Sequence, residues 1–312
     1  MKKILITGGC GFIGVNLIDF LRRESSLDIV VLDNLVVGRV ERIHPFEVEF
    51  IEGDIRDMDI IRRAVKGVDG IVHLAADTRV MDSIANPVYN FHVNVNGTFN
   101  ILTAAHEAKV PRLVFASTGG AIIGEVEPPV HELMVPRPMS PYGASKLSSE
   151  GYLSAFRASY GIIASSLRFS NVYGPRSFHK GSIVAHLMKC VISGSPITIY
   201  GDGSQTRDYV YVDDISRGIF LALMNNLEGG VYQLGSGEPT SLNELISALT
   251  ATIGDRQMPE INYKAFRAGE IVHTYSRIDK ARLELGFSPK NTLREGLRET
   301  WNWFVNNSLH LS

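Results

Sequence analysis

Lys3-Ile-Leu-Ile-Thr-Gly8-Gly-Cys-Gly11-Phe-Ile-Gly14 decides the fold of this chain. A short apolar run, Ile4–Thr7, enters a glycine-rich turn, and a helical pattern over 13–23 follows at once. Glycines at 8, 11 and 14 suit a tight turn, a close approach of backbone to a pyrophosphate, and close packing of helix on strand. Asp33 closes the next apolar run about twenty residues on, where a carboxylate can take ribose hydroxyls. The alternative is that Asp33 merely starts a turn. An acid there repels a 2′-phosphate, and the nearest arginine, Arg39, is several positions away, so NAD is preferred over NADP.

Outward from this loop, strands are expected over 29–32, 48–51, 70–74, 113–117 and 165–168. Helices are expected over 57–65, 93–109 and 145–160. Strands alternating with helices predict a doubly wound parallel sheet. After about Asn171 the rhythm gives way to loops rich in Gly, Pro and Ser. Two helices then announce themselves by capping boxes, Ser241-Leu-Asn-Glu244 and Thr292-Leu-Arg-Glu295. The apolar stripes behind them are core positions. A Rossmann unit of 1–174 plus about 209–239 is expected, with a smaller interwoven α+β unit of about 175–208 plus 240–312.

Composition excludes several classes. The formal net charge of −2 and scattered Lys and Arg give no basic stripe for nucleic acid. No apolar segment is long enough for a membrane, and the apolar start stops too soon for a signal peptide. Cys10 and Cys190 make no disulfide framework, which fits a reducing cytoplasm. The nine histidines are spread singly, so no metal is expected.

Tyr142 and Lys146, in Ser140-Pro-Tyr-Gly-Ala-Ser-Lys146, are four residues apart and share one face of a helix. A phenol is a poor base at neutral pH unless a fixed positive charge stands close, and the lysine can supply it. Alone, the pair reads more readily as a helix start after Ser140-Pro141 with an exposed lysine.

Taken together, several motifs stand in the order of a known family: Gly8-x-x-Gly-x-x-Gly14, Gly53-Asp-Ile55, His73-Leu-Ala-Ala76, Asn94-Val-Asn-Gly-Thr98, Ser117-Thr118, Tyr142-x-x-x-Lys146, Arg168-x-x-Asn171-x-x-Gly-Pro175, Arg207-Asp-Tyr209 and Arg267-Ala-Gly-Glu270. The chain resembles the extended short-chain dehydrogenase/reductases, in their NAD-dependent sugar-nucleotide epimerase/dehydratase branch, over nearly its whole length.

The resemblance implies cofactor contacts at Gly8, Gly11, Phe12, Ile13, Gly14, Asp33 and Asn34. It places the adenine at Asp54 and Ile55, and the nicotinamide ribose at Leu74, Ala75, Ala76 and Lys146. Asn94 would support the active site, while His73 is kept as a satisfied strand-end histidine. Thr118, with Ser117 as the less favoured choice, would share the C4 hydroxyl with Tyr142. Arg207 and Arg267 would hold a diphosphate, unless they form surface ion pairs with Asp208 and Glu270. Asn171 would touch the diphosphate or sugar, Thr198 and Tyr200 would carry a uracil, and Glu270 would take the nucleotide ribose.

The implied reaction begins with oxidation at C4, and dehydrating relatives follow the active-site threonine with an Asp-Glu pair. Here Gly119-Gly120-Ala121 follows. The expectation is therefore 4-epimerisation of a UDP-hexose. Uronic acid 4-epimerisation, with Arg79 as the candidate carboxylate partner, or a dehydratase or decarboxylase, is the alternative; a non-catalytic NAD sensor ranks below both. The stretch 117–124 is one residue longer than in many relatives and has Ile123 in place of a tyrosine. Thr274, at a position that gates C2 substituents, leaves room for an N-acetyl group. A homodimer through helices near 95–109 and 145–160 is expected by the same resemblance.

Overall fold

The computed structural model describes residues 1–225, 227–266 and 272–307. In the first half the chain runs β1 (Lys3–Thr7), α1 (Phe12–Glu24), β2 (Asp28–Asp33), β3 (Glu49–Glu52), α2 (Met58–Ala64), β4 (Gly70–His73), α3 (Val80–Ala85), α4 (Pro87–Phe91), α5 (Gly97–Glu107), β5 (Arg112–Thr118), α6 (Gly119–Ile123), α7 (Pro141–Tyr160) and β6 (Ile163–Phe169). The remainder is β7 (Asn171–Tyr173), α8 (Ile183–Ser193), β8 (Ile197–Tyr200), β9 (Thr206–Arg207), β10 (Tyr209–Tyr211), α9 (Val212–Met224), β11 (Gly229–Leu234), β12 (Thr240–Ser241), α10 (Leu242–Thr250), β13 (Ile261–Lys264) and α11 (Leu293–Asn307).

Seven strands form one parallel sheet in the order β3-β2-β1-β4-β5-β6-β11. The chain winds outward from β1 to β3, then returns and winds the other way, so the order reverses between β1 and β4. A crevice opens outside the carboxyl ends of the strands at such a reversal. Apolar side chains cover both faces of the sheet. One core joins Ile4, Ile6, Leu17, Ile18, Ile215 and Ile219; the other joins Leu5, Ile71, Ile101, Leu102 and Phe115. A third core, with Leu187, Ile199, Leu245, Leu249, Leu297 and Phe304, ties together α8, β8, α10 and α11. Both capping boxes close: the Ser241 and Thr292 N–H groups donate to Glu244 and Glu295, whose own N–H groups donate back to the hydroxyls.

Two helices differ from their expected form. The helix expected from 145 starts at Pro141, because Ser140 caps it by accepting from the Gly143 N–H and proline at the first position fixes a helical φ. Tyr142 therefore lies in its first turn. The helix expected over 93–109 is a longer run, from α4 into α5, with one wide π-type turn over His92–Asn96. Such turns free a carbonyl from the ladder. Here the Asn94 carbonyl accepts from the Thr98 and Ser149 hydroxyls at 2.6 and 3.3 Å.

Candidate active site

At the β1–α1 turn, the glycines are demanded by backbone. A Cβ on Gly8, whose φ is +70°, would lie 2.7 Å from the Ala75 nitrogen. One on Gly14 would lie 2.5 Å from the Gly9 Cα. Gly11 caps α1 without a side-chain acceptor, so the first N–H groups of the helix, from Phe12 and Ile13 onward, remain available to an anion.

Asp33 ends β2 beside this turn. Its carboxylate accepts from the Cys10 N–H at 3.0 Å and the Leu35 N–H at 2.8 Å. One acceptor site on each oxygen is thus spent and others stay open to hydroxyls. Burial raises its pKa, and the two N–H donors oppose that. Asn34 donates to Asp54 at 2.8 Å, and Arg56 holds Asp54 through two bonds of 2.8 Å, which puts this carboxyl at about 2. Ile55 is buried against Gly97. Glycine cradle, strand-end carboxylate and open helix terminus together fit a dinucleotide.

Next along the sheet edge comes Leu74-Ala75-Ala76, anchored by His73. The imidazole bridges the Thr7 hydroxyl at 2.7 Å and the Thr98 hydroxyl at 3.0 Å, and burial drops it to about 3. It is a neutral structural bridge, as expected of a satisfied strand-end histidine. Asn94, in the wide turn, accepts from the Asp77 N–H and donates to the Asp77 carbonyl and to the Ser145 hydroxyl, all within 2.8–3.0 Å.

Lys146 donates to the Ala116 carbonyl at 2.8 Å and lies 4.6 Å from the centre of the Phe115 ring. Burial draws its pKa down to about 7, against the pull of Glu150 one helical turn on. Burial pushes the Tyr142 phenol up to about 12, and the Asp77 carboxylate adds to this. Removal of water is the largest cause of both shifts.

Of the two hydroxyls at the end of β5, Ser117 is spent: it donates to Glu150 at 2.6 Å, and the same carboxylate takes Arg168 through bonds of 2.9 and 2.7 Å. Thr118 has no side-chain partner among the described residues and stands half-buried at the strand end. At Gly119 a Cβ would lie 2.5 Å from the Gln233 Oε1, and at Gly120 it would lie 3.8 Å from the Thr274 Oγ1. The Thr274 N–H in turn donates to the Thr206 carbonyl. Thr274 thus stands between the Gly119-Gly120 turn and the strand that carries Arg207.

The expected substrate contacts lie on the other side. Asn171 is exposed at the start of β7, paired with β10; Thr198 and Tyr200 lie on β8, paired with β13. Arg207 donates to the Thr206 and Val272 carbonyls. Asp208 is turned away from it into the core, where Ser170, Ser236, Gly237 and Ser276 all donate to its carboxylate. Arg79 is two-thirds exposed and lies 3.7 Å from Asp82. Arg267 and Glu270 fall outside the described residues. No three His, Cys, Asp or Glu side chains among the described residues form a metal-binding group.

Three site residues were not singled out from the sequence. Asp77 and Ser145 sit beside or within motifs, and that adjacency is the signal that could have found them. Gln233 arrives from the distant β11, and no local pattern announces it.

A family model described as the NAD dependent epimerase/dehydratase family matches residues 4–235. The chain belongs to this family. UDP-glucose 4-epimerase of Mycolicibacterium smegmatis is 36% identical over 316 residues, covering 98% of this chain and 99% of that protein. Among solved structures, UDP-glucose 4-epimerase of Thermotoga maritima with UDP-glucose is 35% identical with a TM-score of 0.92, covering 98% of this chain and 100% of that one. UDP-glucose 4-epimerase of Thermus thermophilus, in complex with NAD, is 38% identical with a TM-score of 0.90, covering 97% and 99%.

Proposed function

We propose that this protein interconverts UDP-hexoses by inversion at C4 through a transient 4-keto sugar. The observation that carries the reading is the end of β5: Thr118, with a free hydroxyl, opens a turn with no acid in it, and α7, which carries Tyr142 and Lys146, packs on that turn where Gly143 meets Ala121. Gln233 occupies the space an acidic side chain at 119 would need. NAD, when bound, supplies a reversible hydride acceptor. Tyr142 removes the C4 hydroxyl proton and later returns it, and the Thr118 hydroxyl holds the same oxygen. Lys146 lends positive charge to the outgoing step. With no second acid or base at 119–121, the keto sugar has nothing to eliminate against, and the hydride returns to its other face.

The cofactor set is Gly8 to Gly14, Asp33, Asn34, Asp54, Ile55, Leu74 to Ala76, Asn94 and Lys146. The unit of 175–208 and 240–312 carries the UDP-sugar, through Asn171 at its border and Thr198, Tyr200, Arg207, Arg267 and Glu270. A threonine at 274 leaves space for an N-acetylhexosamine beside the plain hexose. The protein acts in the cytoplasm as a homodimer. Support for the pairing comes from an aromatic strip along α5 and α7, where Phe99, Tyr152 and Tyr160 are 40–52% exposed and Phe99 packs edge-on to Tyr152 at 5.2 Å.

The test is incubation with UDP-glucose, UDP-N-acetylglucosamine and UDP-glucuronate without added reductant, with products read by NMR. C4 inversion alone is the expected result; loss of water or carbon dioxide overturns the reading. Tyr142→Phe should lower turnover by roughly 10²–10⁴ while leaving NADH binding intact.

A further inference from the structure

Four cationic side chains and one imidazole converge beside the glycine loop from three segments: Arg39 and Arg42 after β2, His179 and Lys180 in the loop between β7 and α8, and Lys189 in α8. The Lys180 ammonium lies 4.8 Å from the centre of the Phe12 ring, the first residue of α1. It has no hydrogen-bond acceptor among the described residues. Nor have the buried Nη1 of Arg42 and Nδ1 of His179. The acids in reach, Asp33 and Glu41, make no hydrogen bond or ion pair with them among the described residues: Asp33 accepts from two backbone N–H groups, and Glu41 is exposed.

The electrostatic consequences are visible in each group. Burial brings Lys180 down to about 8. His179 falls to about 4, from burial first and then from Arg42, Lys180, Lys189 and Arg39. Arg42 is lowered by burial and then by Arg39. Clustered cations with buried nitrogens left without a partner mark a place built for an anion.

The loop that carries Lys180 is fastened to α1. Asn16 donates to the Pro175 carbonyl at 3.1 Å, Arg176 donates to Asn16 at 2.9 Å, and Lys189 donates to the Lys180 carbonyl at 3.0 Å. The ammonium is thereby held over the turn whose N–H groups are open.

We propose that Lys180, backed by Arg42, is the cation for the diphosphate of the bound dinucleotide, reaching across the N-terminus of α1 from the loop between β7 and α8. The inference rests on the family's use of NAD and not on which sugar is turned over. The sugar nucleotide's own diphosphate is the competing anion of the same chemistry, and the test separates the two.

Fluorescence titration of the cofactor-stripped enzyme with NADH should show Lys180→Met binding about tenfold more weakly than the parent, the order expected for one charge-assisted contact. Its affinity should also depend less steeply on salt, a change that a purely packing role would not produce. Lys180→Arg should restore most of the affinity, and UDP binding should be unchanged in both. Should Lys180→Met not fold, Arg42→Gln gives the same reading with a smaller loss. Unchanged NADH affinity, or a loss that falls on UDP instead, overturns the assignment. Because NADH binding is read without any sugar, the result stands apart from the epimerisation test.

Discussion

Two glycine clusters sit at the carboxyl edge of the sheet, one after β1 and one after β5. At Gly8 and Gly14 the atoms that forbid a side chain are backbone: Ala75 in one case, Gly9 in the other. At Gly119 the obstructing atom is the far end of a side chain, the amide of Gln233. The first cluster lets backbone pack directly on backbone, and the second makes room for the side chain of Gln233. The same amino acid thus answers to main chain in one place and to a side chain in the other.

The clusters should respond differently to an added methyl group. Gly14→Ala forces backbone against backbone, and should cost roughly 3 kcal/mol or more, measured as a fall in denaturation midpoint with loss of NADH binding. Gly119→Ala meets only a side-chain amide. It should cost about 1–2 kcal/mol, and Gln233→Ala in the same chain should recover most of it. Equal, unrescued losses at both sites would dissolve the distinction, and a double-mutant cycle would reveal them.

His73 stands between the clusters and sharpens the comparison through pH. Its folded pKa of about 3 lies below the ordinary value near 6.5. As pH falls through that window, the unfolded chain takes up a proton that the folded chain refuses, so stability is lost toward acid. The slope contributed is at most about 1.4 kcal/mol per pH unit. His73→Gln should flatten the pH dependence of Tm between about 6.5 and 4 relative to the parent, whatever its effect on Tm itself. An unchanged slope would mean that the imidazole is not the buried neutral bridge described above.

The same contrast explains what could be read from the sequence. The doubly wound sheet and the β1–α1 turn were legible because their determinants lie within a few residues of one another: Gly8, Gly14 and the apolar run before them; the strand order and β11 were not. The cap of α7 was written in Ser140-Pro141, and the range 145–160 expected from the apolar pattern starts late because that pattern begins after the cap. Ser117 and Thr118 could not be separated, since the partner that claims Ser117 is Glu150, on another element. Nor could the pairing of Asp208 be foreseen: its donors come from Ser170, Ser236, Gly237 and Ser276, four positions that only the fold assembles. The burial that raises the Tyr142 pKa and lowers that of Lys146 could not be read from their spacing, because the elements that cover them are distant in sequence.

The wide turn over His92–Asn96 has a consequence for phase. On a regular helix of 3.6 residues per turn, every fourth residue drifts by about 40° around the axis. Asn90, Asn94 and Thr98 are spaced by four, and without correction the last would turn away from the first. A turn closed by a longer ring takes back part of that rotation. Asn90 and Asn94 can then both reach Asp77 while Thr98 still meets His73. Removing one residue from the turn would leave each side chain intact and point them to different places.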